Sequence, residues 1–189
     1  MRKTDHPINP LIRDRWSPRA MTGEEINDAE WKSLLEAARW APSSYDAQPW
    51  CFIYAKRNTP AFQTFVDLLV EFNKGWAPKA AVLCVIASRR LMERNNKPSR
   101  THAFDAGAAW ENLALEASSR GLVAHGMEGF DYEKAKTVLE IPDEFEVRAM
   151  FAVGKRAPKE TLSPELQAKE IPSDRKKVEE FAMEGKFRK

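Results

Sequence analysis

In the stretch RDRWSPR (residues 13–19), Arg15, Ser17 and Arg19 alternate with Trp16 and Pro18. Alternate residues of an extended backbone share a face, so two guanidiniums and a hydroxyl project together. Arginine matches phosphate oxygens bidentately, and this face reads as a phosphate clamp; a solvated basic arm is the alternative reading. A second cluster, SDRKK (173–177), offers Arg175 and Lys176 either to the same anion or to solvent.

Three further stretches carry polar groups in unusual settings. RWAPSSYDAQPW (39–50) packs two prolines, Ser43, Ser44, Asp46 and Gln48 between two tryptophans. Pro42 and Pro49 stiffen the chain, which makes a rigid polar shelf; Trp50 serves as a core aromatic or covers an apolar ligand edge. In FNKGWAP (72–78), Asn73 either caps a helix C-terminus or bonds a ligand hydroxyl. In GMEGFD (126–131), two glycines flank Met127 and Glu128, so backbone N–H groups there can approach a ligand without interference from a Cβ. The competing reading is an ordinary turn before a helix capped by Asp131.

Several kinds of site are absent. The histidines His6, His102 and His125 and the two cysteines have no metal-ligand spacing. No G-x-G-x-x-G follows a strand, and there is no Walker loop or G-x-S-x-G elbow. A catalytic role therefore calls for a bound cofactor to carry the chemistry.

The elements that position these stretches follow from periodicity. Asn27 and Glu30 form a capping-box pattern opening a helix over about 28–40, with Trp31, Leu34, Leu35 and Ala38 on its buried face. WCFIYAK (50–56) predicts a strand. Thr59 and Pro60 start a second helix that the apolar stripe carries to about residue 72. AAVLCVIA (80–87), apolar on both faces, predicts a central strand, and residues 88–101 a basic surface loop. A long helix over about 103–120 ends at Gly121, its small residues 106–109 permitting close approach of another helix. A strand near 122–125, a helix near 132–140 and a strand over 146–155 complete the order. The charged segment 156–189 buries little by itself.

With 189 residues, 43% hydrophobic and 31% charged, the chain fits one globular domain. A net charge of +2 gives no reason to invoke nucleic acid or a membrane surface. The longest apolar run has eight residues, too few to span a bilayer. The polar start lacks a secretory h-region, and Cys51 and Cys84 sit in apolar runs as reduced core cysteines, so a cytoplasmic location is expected.

Taken in order, four anchors resemble the FMN-dependent nitroreductase family: R-x-S-x-R at Arg15–Arg19, A-P-S-S-x-x-x-Q-P-W at Ala41–Trp50, N-x-x-W-A-x-x-A at Asn73–Ala80, and M-E-G-F-D at Met127–Asp131. The basic motif near Ser173–Lys176 is a fifth. The resemblance runs from about residue 12 to 182. It implies an α+β nitroreductase-like fold with a central mixed, mostly antiparallel sheet flanked by helices. It implies an intertwined homodimer with FMN at the subunit interface and the C-terminal extension 156–189 wrapped onto the partner.

The resemblance also implies the roles of residues. Arg15, Trp16, Ser17 and Arg19 would hold the FMN phosphate and ribityl chain, with Arg175 or Lys176 adding charge. Asn73 would bond the flavin's polar edge or ribityl group. Met127 would line the cofactor, and Glu128 and Gly129 would present a backbone N–H at flavin N5. Pro42, Ser43, Ser44, Asp46 and Gln48 would serve the neighbouring subunit's flavin. The implied activity is NADH- or NADPH-dependent reduction of small electrophilic organics, with no side chain acting as a covalent catalyst. A flavin-consuming or dehalogenating enzyme, or a non-catalytic FMN-binding redox sensor, are the alternatives. Two departures stand out: the family usually has Asn at Asp46 and often a basic residue at Cys51. An ionised carboxylate accepts hydrogen bonds where an amide also donates.

Overall fold

Asn27 closes its capping box as read: its side chain accepts from the Glu30 N–H, and the Glu30 carboxylate accepts from the Asn27 N–H. The computed structural model describes residues 2–188, in the order α1 (Pro10–Asp14), α2 (Asp28–Arg39), β1 (Trp50–Lys56), α3 (Pro60–Val66), α4 (Glu71–Lys74), β2 (Val82–Arg89), α5 (His102–Ser119), β3 (Leu122–Met127), α6 (Tyr132–Val138), β4 (Phe145–Lys155) and α7 (Pro164–Ala168). The four strands form one sheet in the order β1-β2-β4-β3. The expected largely antiparallel character holds, and every pairing within the chain is antiparallel.

The double-sided apolar run of β2 is buried along nearly its whole length because the sheet is covered on both faces. On one side Trp31 and Leu34 of α2 and Leu113 and Ala117 of α5 pack over Cys84, Phe151 and Val153. On the other, Phe65, Leu68 and Ala135 pack over Leu83, Val85 and Met150. Each fully buried large side chain contributes about 1.5–3 kcal/mol. The α5 residues Ala106 and Ala109 are buried in the α2 cluster, whereas a Cβ at Gly107 would meet nothing within 4 Å.

One sequence expectation is corrected. The helix read from 59 to about 72 is broken: α3 ends at Val66, and a separate turn, α4, begins at Glu71. Leu69 bridges Phe130, the Asp131 N–H donates to Leu68 O, and the Val70 N–H donates to Gly129 O. Those long-range bonds displace the helical ones. The basic segment 88–101 is, as expected, mostly an exposed surface loop, which an isolated Leu91–Pro98 bridge closes into a hairpin. Arg89 pairs with Glu93, Arg90 donates to Asp143 O, and the Arg94 guanidinium lies 3.9 Å from the centre of the Tyr45 ring.

Candidate functional site

The arm that carries the proposed clamp is fixed by residues remote from it in sequence. The Glu170 carboxylate, buried after α7, accepts the Arg19 N–H at both oxygens (2.9 Å each) and the Ala20 N–H at 3.0 Å. The buried His125 ring meets Pro18 O at 2.9 Å through Nδ1. A carbonyl only accepts, so that nitrogen carries the proton. Burial pushes the His125 pKa down, which keeps the ring neutral.

Along this arm Arg15 and Ser17 do converge. The Arg15 guanidinium reaches Ser17 Oγ at 3.5 Å and pairs with Glu111 of α5 at 3.2 Å. Sequence reasoning missed Arg2, whose Nη1 donates to Arg15 O at 2.7 Å and to Arg13 O at 3.2 Å. Burial, and then the neighbouring charges of Arg175 and Arg15, hold the Arg2 pKa below its usual value. Arg2, Arg15 and Arg175 thus form one cationic cluster. Arg19 turns elsewhere: its guanidinium lies 5.8 Å from the Phe72 ring, and its buried Nε has no partner among the described residues. Trp16 lies under Arg156, 4.6 Å from guanidinium carbon to ring centre. Lys176 is exposed and has no hydrogen bond or ion pair among the described residues.

Asn73 joins two of the anchors. Its Nδ2 donates to Gly129 O at 2.9 Å while its Oδ1 accepts from Trp76 Nε1 at 3.1 Å. The side chain is buried and one amide hydrogen stays uncommitted. This pins the 127–130 turn, in which the N–H groups of Glu128 and Gly129 have no partner among the described residues. Glycine is needed at 129 for space: a Cβ there would sit 2.6 Å from Asn73 Nδ2 and 2.9 Å from Val70 Cγ2. Gly129→Ala is therefore expected to cost roughly 1–3 kcal/mol through overpacking. The turn should shift with it; urea denaturation measures the first effect, and an unchanged midpoint would show that the turn yields freely.

The shelf after α2 is a strained loop. Tyr45, Asp46 and Gln48 have φ of 55°, 53° and 44°, a region that costs non-glycine residues about 1–3 kcal/mol each and gathers at functional sites. Asp46 tolerates it as Asn does, and its carboxylate accepts from Gln48 Nε2 at 3.0 Å. Ser43 Oγ accepts the Gln48 N–H at 3.0 Å, and the Ser44 N–H donates to the buried Asp105 of α5 at 3.3 Å. Pro42 is exposed beside them. Cys51 and Cys84 are free, with burial raising both thiol pKa values. Among the described residues no group of three or more His, Cys, Asp or Glu can hold a metal, and no helix is long and apolar enough to cross a membrane.

The α+β scaffold thus carries a cationic arm, a glycine turn with uncommitted N–H groups among the described residues, and a strained polar shelf. Residues 12–60 and 57–155 match the Nitroreductase family, and the chain belongs to it. A crystal structure of an oxidoreductase containing FMN is 42% identical with a TM-score of 0.95, over 99% of this chain and 96% of that one. An uncharacterised 15.4 kDa protein of Mycolicibacterium smegmatis is 33% identical over 67% of this chain and 84% of its own length. An Archaeoglobus fulgidus protein with the provisional name NADH dehydrogenase/NAD(P)H nitroreductase is 27% identical over 76% of this chain and 82% of its own.

Proposed function

We propose that this chain binds FMN and uses NADH or NADPH to reduce small electrophilic organics, such as nitroaromatics or quinones. The observation that carries this reading is the Met127–Gly129 turn, whose Glu128 and Gly129 N–H groups are free and whose backbone is pinned by Asn73. Arg2, Arg15 and Arg175, with the Ser17 hydroxyl beside Arg15, fit a single phosphate; three cations gather there, partly offset by Asp14, Asp174 and Glu111. Arg19, with an orphaned Nε, has donor capacity left for the same ligand. Bound FMN would supply a hydride acceptor and donor; the protein orients it, donates hydrogen bonds to it and keeps water away.

The shelf of Pro42, Ser43, Ser44, Asp46 and Gln48 is assigned to the flavin of a second subunit. Within one chain it attaches at Asp105, whereas the clamp attaches at Glu111, about 9 Å further along α5 and about 120° around it. A homodimer also accounts for the apolar surface left open: Phe104 is 80% exposed beside Gly107 on α5, and the tail holds Phe181 and Phe187 out of any core. In that assembly segment 156–189 wraps onto the partner. A cytoplasmic site of action agrees with the free thiols.

Two measurements test the reading. Heat denaturation should release FMN and not FAD, and anaerobic NADH or NADPH should bleach the bound flavin, with colour restored by a nitroaromatic or quinone. A protein that takes up no flavin on reconstitution overturns it. Replacing Arg15 or Arg19 by Ala should weaken FMN binding by roughly 1.5–3 kcal/mol each, the scale of a hydrogen bond to a charged group. Fluorescence titration of FMN into the two variants checks this; unchanged affinity in both would make the arm merely a solvated basic segment.

A further inference from the structure

Where β3 runs out, the Met127–Glu128 backbone borders a cavity of about 400 Å3 walled by Trp110, Tyr132, Arg148 and Phe151. Its walls are aromatic: Trp110 and Phe151 lie 4.6 Å apart between ring centres. Gly126 lies against the Trp110 indole, which a Cβ at that position would meet at 3.4 Å, ordinary contact distance.

Arg148 enters the cavity because of a fault in the sheet. Ile86 pairs with Ala149 and Ala87 with Val147, so Arg148 is the extra residue of a β-bulge. Uninterrupted alternation would send its side chain to the Met150 face, where Val147 and Phe145 pack. A bulge re-aims a side chain in this way. The side chain is three-quarters buried, its Nε is fully buried without a partner among the described residues, and burial holds its pKa below the usual value. Its anionic partner is Glu146, half exposed, whose other carboxylate oxygen is 4.0 Å from His102 Nε2. A fold that needed only strand packing here would be served by an apolar residue without the desolvation cost of a charge.

We propose that this cavity binds flat aromatic molecules bearing an anionic group, and that Arg148 is the residue that selects them as electron acceptors. The part concerning electron transfer rests on the reading of the adjoining turn as the flavin's bed. Glu128 also lines the cavity, and its carboxylate repels an anion at that side. Tyr132 feels both charges, Glu128 raising its pKa and Arg148 lowering it, with burial the larger influence. The ring's anionic substituent is thereby directed to the Arg148 end.

The test uses the flavin-loaded protein and two probes of similar shape, 4-nitrobenzoate and the neutral 4-nitrobenzyl alcohol. Calorimetric titration at low salt should give tighter binding of the carboxylate. Arg148→Leu should weaken that binding about tenfold, the size of one charge-assisted hydrogen bond, while the alcohol is little affected. Glu146→Gln, which removes the competing carboxylate, should tighten it, and this variant keeps the test decisive if Arg148→Leu does not fold. In turnover, Arg148→Leu should raise the KM for 4-nitrobenzoate and leave the KM of the nicotinamide donor unchanged. Equal losses for both probes, no gain with Glu146→Gln, or a response confined to the donor would each overturn the proposal. Probe discrimination without any flavin-dependent turnover would leave the anion site standing and remove the redox reading instead.

Discussion

Glu170→Ala is expected to destabilise the protein by about 2–6 kcal/mol and to yield it nearly free of flavin. Two backbone donors, the Arg19 and Ala20 N–H groups, depend on this one buried carboxylate. A buried donor left without an acceptor costs about 1–3 kcal/mol, which gives the range for the pair. Pro18 would then be tethered mainly through His125, and the Arg15–Ser17 pair proposed to hold a phosphate would lose its fixed position. Glu170→Gln retains one acceptor oxygen and should fall between parent and Ala variant. Urea denaturation and the flavin-to-protein absorbance ratio measure the two effects separately. If the Ala variant were as stable and as yellow as the parent, the arm would be held by other contacts and its geometry would not depend on the tail.

Glu170 also shows where sequence reading stops. It lies in a charged segment, and nothing near it marks one acid as buried; its partners are about 150 positions away. Arg2 was missed for the same reason, since its bonds to Arg13 O and Arg15 O follow from how the N-terminal segment folds back. Local signals fared better. The capping box at Asn27, the strand Trp50–Lys56 and the left-handed Gly121 at the end of α5 depend on neighbours within a few residues, and all appear as read. The break between α3 and α4 was hidden because the apolar stripe of Phe62, Phe65, Val66 and Leu69 satisfies helical spacing. Pairing with residues 129–131 overrides it, and tertiary context commonly overrides propensity.

The anchors of the candidate site were legible as residue types but not as a working arrangement. Asn73 was readable as a helix cap or a ligand donor, and it proves to be a pin between α4 and the Gly129 turn. Arg15 and Arg19 were expected on one face, yet Arg15 turns to Glu111 and Arg19 towards Phe72. The bulge at Arg148 left no trace in the alternation of EVRAMFAVGK, because a slip of one residue in a largely apolar strand changes no local pattern.

Mixing two variants, each weakened in one half of the proposed site, should restore a flavin affinity that neither homodimer retains. An Arg15→Ala variant lacks the clamp, and a Ser43→Ala, Ser44→Ala variant lacks the shelf hydroxyls, including the one that holds the Gln48 N–H. If each flavin is held by the clamp of one subunit and the shelf of the other, a heterodimer has one site with both defects and one with neither. Denaturing and refolding the two together should therefore return one flavin of parental affinity per heterodimer, about a quarter of the sites in a random one-to-one mixture. A flavin that bridges subunits also stabilises their association, so dimer dissociation on dilution should track flavin loss. Heterodimers can be isolated by giving the two variants different affinity tags, and bound flavin is then counted per dimer. Isolated heterodimers with no high-affinity site would place clamp and shelf in the same subunit's site. The separate attachments at Asp105 and Glu111 on α5 would then have to be bridged within one chain, and the intersubunit assignment would fall while the FMN reading stood.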